Sequence, residues 1–327
     1  MPQPHGEGLK TALVTGATGA IGPGLVQALM NSGYSVRALV RHHNTTLLPQ
    51  NVQTIVGDLC DRRAIEQAIT GADVVFHLGA RLHADTQHAS ADVRKEYQRV
   101  NVQATQDLAT LARERGVRRF VFFSTIAVYG ASLPGQILDE QSPVTRHTLY
   151  TETKLAAEDA ALGAPGAVVL RLAATYGPRV KGNYLRLVEM MRRGIAVRIG
   201  SGQNRRTLVH QQDVEAAAIL AARQAPPGSI YNVTDGRIHT VESILAAMAA
   251  ALHRRPVSIS LPARPFRMIA GALEDTFRLA GRRSPIGRAT IDKLLEDVAV
   301  SGDRIQHDLG FAPAVDLTTG WRLAVGG

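Results

Sequence analysis

Tyr150 and Lys154 stand four positions apart, the spacing that puts two side chains on one face of a helix. A phenol has a reference pKa near 10 and is a poor base at neutral pH. An ammonium beside it favours the phenolate; a drop of about three units corresponds to roughly 4 kcal/mol of differential stabilisation. Such a tyrosine takes a proton from an alcohol as hydride leaves its carbon, or gives one to a carbonyl in the reverse direction. The lysine can also hold a nicotinamide ribose. Tyr-xxx-Lys pairs are common on helices, so this chemistry needs a dinucleotide site elsewhere in the chain.

That site is legible near the start. Thr15-Gly16-Ala17-Thr18-Gly19-Ala20-Ile21-Gly22 follows the apolar run 11–14 and precedes a segment of helical spacing, 24–30. Strand, tight turn and helix are the context a phosphate-binding loop needs. Gly16 can take the backbone geometry of the turn, Gly19 leaves room for a pyrophosphate, and Gly22 lets the helix pack close to its strand. The free N–H groups of the loop and the positive end of that helix favour phosphates, so Thr18, Ala20 and Ile21 join the cofactor set.

Strand and helix signals alternate through the first half. Apolar strand candidates fall at 11–15, 35–40, 52–56, 73–78, 119–124 and 167–172. Helical patterns lie near 21–32, 61–70, 98–115 and 150–162. This alternation argues for an α/β fold, a Rossmann-type doubly wound parallel sheet with helices on both faces. After Gly177-Pro178 the pattern changes to a helix near 183–193, a short strand near 197–199 and a loop at 200–206. The expected division is a dinucleotide-binding domain at 1–178, with 207–235 returning to it. A smaller C-terminal substrate-binding lobe takes 179–206 and 236–327.

The 327 residues suffice for one large core with an appended lobe, and 45% hydrophobic with 20% charged residues is globular composition. No apolar run approaches the roughly 20 residues of a membrane span, so no membrane insertion is expected. Residues 1–8 lack an apolar signal-peptide core, and the single Cys60 excludes an internal disulfide. A cytoplasmic location is the expectation. The net charge of +9 raises nucleic acid as a partner, but the basic residues are dispersed in short pairs. With no basic run, zinc-ligand spacing or aromatic-basic segment, a phosphorylated small molecule fits better than nucleic acid.

The chain resembles the extended branch of the short-chain dehydrogenase/reductase superfamily, the NAD-dependent epimerases, dehydratases and reductases of nucleotide sugars. The resemblance rests on TGATGAIG at 15–22, Gly57-Asp58-Leu59, Val75-Phe76-His77-Leu78-Gly79-Ala80, Asn101, FFSTIAVYG at 122–130 and YTETK at 150–154. It continues through Leu170-Arg171 to Gly177-Pro178, Arg206 to His210 with Asp213, and Leu309-Gly310-Phe311. The resemblance implies Thr125 as the catalytic hydroxyl beside Tyr150 and Lys154, hydrogen-bonding the substrate oxygen where charge develops. It implies that Asp58 bonds adenine and Leu59 packs on it, although Asp58 could equally cap the following helix. Gly79 and Ala80 would pass the cofactor's ribose and phosphates. Ser124 would lie near the nicotinamide or be a satisfied strand-end hydroxyl. Tyr129 matches an aromatic lining the pocket, and Asn101 a buried structural asparagine.

Many NAD-binding members place an acid at the end of the second strand to accept the ribose hydroxyls. Here that place is apolar in Val36-Arg37-Ala38-Leu39-Val40-Arg41. A 2′-phosphate would meet no repulsion there, and Arg41, or less well Arg37, could pair with it. NADP(H) is therefore favoured over NAD(H). On the substrate side the resemblance assigns Asn183 and Arg206 to a nucleotide diphosphate, with Arg283 or Arg288 completing the clamp.

These features look most similar to UDP-hexosamine 4-keto-reductases and UDP-glucose 4-epimerases. The expected reaction is NADPH reduction of a UDP-4-keto-hexose(amine), with Tyr150 as proton donor. Leu172 and Thr175 depart from the usual proline and valine, which leaves the sugar open. Ile126 and Ala127 after Thr125 supply no acid–lysine pair of the dehydratase kind. The alternatives are a UDP-hexose 4-epimerase with tightly held NAD, a reductase of a lipophilic ketone, and a non-enzymatic dinucleotide sensor. The helices at 98–115 and 150–162 pair into a dimer interface in many relatives, so a homodimer is expected.

Overall fold

The computed structural model describes residues 11–42, 46–82, 89–179, 183–255, 257–279, 284 and 287–326. Its strands run β1 (Thr11–Thr15), β2 (Ser35–Val40), β3 (Gln53–Val56), β4 (Val74–His77), β5 (Arg119–Thr125) and β6 (Ala167–Leu172). They continue with β7 (Ala174–Tyr176), β8 (Ile195–Ile199), β9 (Arg205–His210), β10 (Ser229–Val233), β11 (Ile238–Thr240) and β12 (Val257–Leu261). Seven of them form one parallel sheet in the order β10-β6-β5-β4-β1-β2-β3. The order reverses beside β1, where a doubly wound sheet opens its ligand crevice. Strands β4 and β6 are buried on both faces, as strands covered by helices on each side must be.

The helices are α1 (Gly22–Asn31), α2 (Arg62–Ile69), α3 (Ala91–Tyr97), α4 (Ala104–Glu114), α5 (Leu149–Leu162), α6 (Asn183–Arg192) and α7 (Gln211–Gln224). After them come α8 (Val241–Ala251), α9 (Ala263–Leu279), α10 (Arg288–Leu295), α11 (Asp303–Leu309) and α12 (Leu317–Val325). One face of the sheet is sealed by α1 and α7 through Leu25, Val26, Leu29, Val214 and Ala218. The other is sealed by α2, α4 and α5 through Ile65, Leu108, Leu111, Ala157 and Ala161. A third cluster holds the smaller lobe together around Tyr176, Met191, Met248 and Trp321. No helix among the described residues is long and apolar enough to cross a membrane.

The structure differs from the sequence reading in two instructive places. The helix expected at 98–115 starts earlier, at Ala91, and passes through a π-helical stretch, Gln98–Gln103, before α4. The widened turn frees Asn101, whose side chain accepts from Arg81 N (2.7 Å) and donates to Thr153 Oγ1 (3.1 Å). Of the segment expected to return to the first domain, β10 does join the main sheet. β9 instead sits between β7 and β11 in a separate three-stranded sheet.

Candidate active site

Strand β5 and helix α5 bring the reactive groups together. β5 ends at Thr125, where a short 3₁₀ turn begins, and Thr125 Oγ1 accepts from Ala127 N at 3.2 Å. Helix α5 starts at Leu149 because Thr148 and Thr151 form a reciprocal capping box, each side chain taking the other's backbone N–H. That fixes Tyr150 in the first turn and Lys154 one turn on. Tyr150 and Thr125 are hydrogen-bonded side chain to side chain.

Lys154 is buried and donates from Nζ to the Phe123 carbonyl at 2.6 Å. Its ammonium also lies 4.0 Å from the centre of the Phe122 ring. Burial lowers its pKa to about 7, and the carboxylate of Glu158 works against that fall. The Tyr150 phenol is pushed up from its ordinary value, first by burial and then by nearby Tyr97, while the Thr125 hydrogen bond opposes the rise. The sequence alone suggested the reverse, a phenol lowered by the lysine. In the structure desolvation wins, so the proton stays on Tyr150 at neutral pH.

Behind the pair runs a buried polar network. Ser124 donates to Glu158, and Arg171 reaches the same carboxylate at 2.7 Å through Nη2 and at 3.2 Å through Nε. Arg171 Nη1 donates to the Tyr129 hydroxyl at 2.8 Å, which in turn donates to Asn232 Oδ1 at 2.9 Å. Tyr129 is 4% exposed and its hydroxyl is fully engaged. The structure thus buries this ring and commits its hydroxyl to Arg171 and Asn232. Ser124 takes the strand-end alternative, with its hydroxyl committed to Glu158. Glu158 itself escaped sequence reasoning, although its place one turn beyond Lys154 was a usable signal.

The glycine loop fits a dinucleotide pyrophosphate. Gly16 has φ +71°, and a Cβ there would come within 2.8 Å of Gly79 N. A Cβ on Gly22 would strike the Ala17 carbonyl. A Cβ on Gly19 would approach only the Gly16 carbonyl, so its other side is open. Thr18 and Ala20 flank Gly19 in this loop, and Ile21 caps α1 with no side-chain hydrogen bond to the helix's first amides. Those amides are left for an anion. Gly79 N donates to Thr15 Oγ1 at 3.2 Å, while Leu59 packs where a Gly79 side chain would lie. Ala80 follows, half-buried.

Exposed Asp58 accepts from Cys60 N at 2.7 Å, which holds its carboxyl below the usual range, helped by Arg99 and Arg41. The cap of α2 is Asp61, so Asp58 does not cap that helix. Arg41 is exposed and close enough to act on Asp58. Arg37 is tied to the Ala68 and Thr70 carbonyls at 2.8 and 2.6 Å, at the end of α2.

On the substrate side, Arg206 and Tyr184 interact electrostatically, which links β9 to the first turn of α6. The Arg206 guanidinium donates to the carbonyls of Lys293 and Leu294, both at 3.0 Å, and to that of Glu296. Arg288 is bound instead to Asp275 at 2.7 Å and Glu274 at 3.6 Å on α9. Asn183 opens α6, but its side chain lies outside the described residues, as does Arg283.

A Rossmann sheet with a glycine loop and a Thr-Tyr-Lys constellation at its crevice defines a class of dinucleotide-dependent enzymes. Residues 12–234 match the model of the NAD dependent epimerase/dehydratase family, and the chain belongs to that family. It is 29% identical over 312 residues to a 4-hydroxy-2-methyl-3-oxo-4-farnesyl-3,4-dihydroquinoline-1-oxide ketoreductase of Stigmatella aurantiaca, covering 92% of each chain. To a UDP-glucose 4-epimerase of Vibrio cholerae it is 27% identical over 325 residues, covering 96% of this chain and 94% of the relative. The solved structure of MoeE5 in complex with UDP-glucuronic acid and NAD superposes with a TM-score of 0.74. That match has 27% identity and covers 97% of this chain and 98% of the other. The protein is an NAD(P)-dependent enzyme of the epimerase, dehydratase and reductase kind.

Proposed function

We propose that the chain is an NADP(H)-dependent reductase of a nucleotide-linked sugar, acting on a UDP-4-keto-hexose or hexosamine. The observation that carries this reading is the protonated Tyr150 held against Thr125, with Lys154 buried behind it. When bound, the nicotinamide supplies or accepts a hydride. Thr125 and Tyr150 hold the substrate oxygen between two donors, and Tyr150 gives up its proton as negative charge develops there. Lys154 then stabilises the phenolate that remains. Asn183, Tyr184 and Arg206 would receive the diphosphate, and Arg41 a 2′-phosphate. The relatives that act on or bind UDP-sugars support the substrate class.

A second reading, reduction of a lipophilic ketone, has a specific observation in its favour. The guanidinium of Arg206 is satisfied by backbone carbonyls, and Arg288 by acids of α9. The Stigmatella ketoreductase is a relative of that kind. Arg206→Ala distinguishes the two. A lost charge-assisted contact to phosphate, worth about 1.5–3 kcal/mol, raises the KM for a UDP-sugar by about 10- to 100-fold. An unchanged KM removes the diphosphate clamp and leaves the lipophilic ketone. The cofactor released on denaturing fresh protein addresses the epimerase: near-stoichiometric NAD favours it, and empty protein that binds NADPH tightly favours the reductase.

A further inference from the structure

Beneath the glycine loop, a chain of buried hydroxyl, imidazole and amide groups runs from β1 to α5. The parallel register sets Thr15 on β1 beside His77 on β4, and Thr15 Oγ1 lies 2.6 Å from His77 Nδ1. The other ring nitrogen, Nε2, lies 2.9 Å from Thr105 Oγ1 on α4. Thr105 donates to the Asn101 carbonyl at 2.7 Å, and the Asn101 amide donates to Thr153 on α5 at 3.1 Å. Thr153 Oγ1 ends the chain on the carbonyls of Leu149 and Tyr150, at 2.9 and 3.1 Å. Thr15, His77, Asn101, Thr105 and Thr153 are all buried.

The order of donors and acceptors follows, because a carbonyl only accepts. Thr105 spends its one hydrogen on Asn101, so His77 Nε2 must donate to Thr105. Burial and then the Lys154 charge lower the His77 pKa to about 3, so the ring is neutral and its Nδ1 accepts. Thr15 therefore donates to Nδ1, and its oxygen is left to accept from Gly79 N.

The chain grips loop 79–81 at both ends, Gly79 N through Thr15 at 3.2 Å and Arg81 N through Asn101 Oδ1 at 2.7 Å. Thr15 also leads directly into Gly16, whose missing Cβ faces Gly79. Filling space does not require a polar ring at 77. Phe120 and Phe122 surround it, with ring centres 6.0 and 5.6 Å away, and a phenyl ring among them would have no polar group to satisfy.

We infer that His77 is a positioning residue, holding the glycine loop and loop 79–81 in register with the helix that bears Tyr150 and Lys154. This role rests on the reading of those loops as the dinucleotide site. His77 acts on the cofactor through Thr15, Gly79 and Asn101.

The test is calorimetric titration of the full chain with NADPH and with NADH, beside melting temperatures. Thr105→Val keeps the side-chain volume and cuts the chain, so affinity for the preferred dinucleotide should fall about tenfold. Thr105→Ser keeps the hydroxyl and loses a methyl group, so it should bind as wild type does and melt lower. A packing role predicts the opposite pattern, affinity kept by valine and lost by serine, and that result overturns the inference. Thr15→Val cuts the chain on the other side of the ring. Alone or combined with Thr105→Val it should cost about tenfold, since the ring is already loose in either variant. Losses that multiply to about a hundredfold would make the bonds independent and also overturn it. If Thr105→Val does not fold, Thr105→Ala takes its place, with affinity expected to fall as for valine; wild-type affinity in it counts against the chain. Gly16→Ala separates this role from the site itself. Unchanged affinity there removes the loop from the dinucleotide, whereas a loss there with none in the Thr105 variants removes only the role of His77.

Discussion

Around Tyr150, desolvation and one hydrogen bond compete, and desolvation keeps the proton on the phenol. That suits a proton donor to a carbonyl. Tyr150→Phe should lower kcat by about 10²- to 10⁴-fold, while titration finds NADPH binding unchanged. Equal turnover would take the phenol out of the chemistry. Glu158 adds a second expectation. It is the carboxylate that supports the Lys154 ammonium, from one turn along α5 and through the Ser124 hydroxyl beside the Phe123 carbonyl. His77 on β4 also feels the Lys154 charge. Burial and then the Lys154 charge push His77 down to about 3, so it is neutral at working pH. Glu158→Gln therefore lets Lys154 lose its proton at lower pH, and the basic limb of the kcat profile should move down. A fall in kcat with no shift of that limb would reduce Glu158 to a packing role.

Elements carry these residues, and here backbone geometry decides. Gly16 combines φ +71° with a 2.8 Å approach of its absent Cβ to Gly79 N, so Gly16→Ala strains the loop in both respects. Calorimetry should show at least a tenfold loss of dinucleotide affinity, on the order of 1.4 kcal/mol; retained affinity would mean that the loop does not hold the pyrophosphate. Six of the seven main strands were legible because apolar runs bounded by turn residues announce buried parallel strands, whereas β10 was read only as part of a segment returning to the first domain. The π-helical stretch before α4 was not, because the helical period continues across it. Its cause is tertiary, the pull of Arg81 and Thr153 on Asn101. Likewise β9 reads as any apolar strand, and only its partners β7 and β11 place it in the smaller sheet. The Tyr-Lys pair and the glycine loop announced themselves by spacing. Glu158 and Arg171 did not: the place of Glu158 one turn beyond Lys154 is a signal only once its partner is known, and the ion pair joins a helix to a strand distant in sequence.

At the scale of the molecule, the packing of α1 on α7 buries a carboxyl that titrates near neutrality. Glu215 lies against Gly24, accepts from Gln211 Nε2 at 2.8 Å, and is raised by burial to about 7. A folded-state pKa above the unfolded value of about 4.3 means that the native state binds more protons through that window. Stability is then lost as pH rises from about 4.5 to 7, by up to about 3 kcal/mol. Glu215→Gln should raise the melting temperature at pH 8 and change it little at pH 4.5. Equal shifts at both pH values would refute the assignment. This burial is also why exposed charge alone does not describe the chain's pH response.

The central claim is that Tyr150 protonates a carbonyl reduced at the expense of NADPH. The direct measurement mixes enzyme, NADPH and a UDP-4-keto-hexose and follows loss of the NADPH absorbance in the wild type and in Tyr150→Phe. The account predicts substrate-dependent oxidation by the wild type and almost none by the variant, with NADPH still bound. Oxidation at equal rates in both proteins would contradict it.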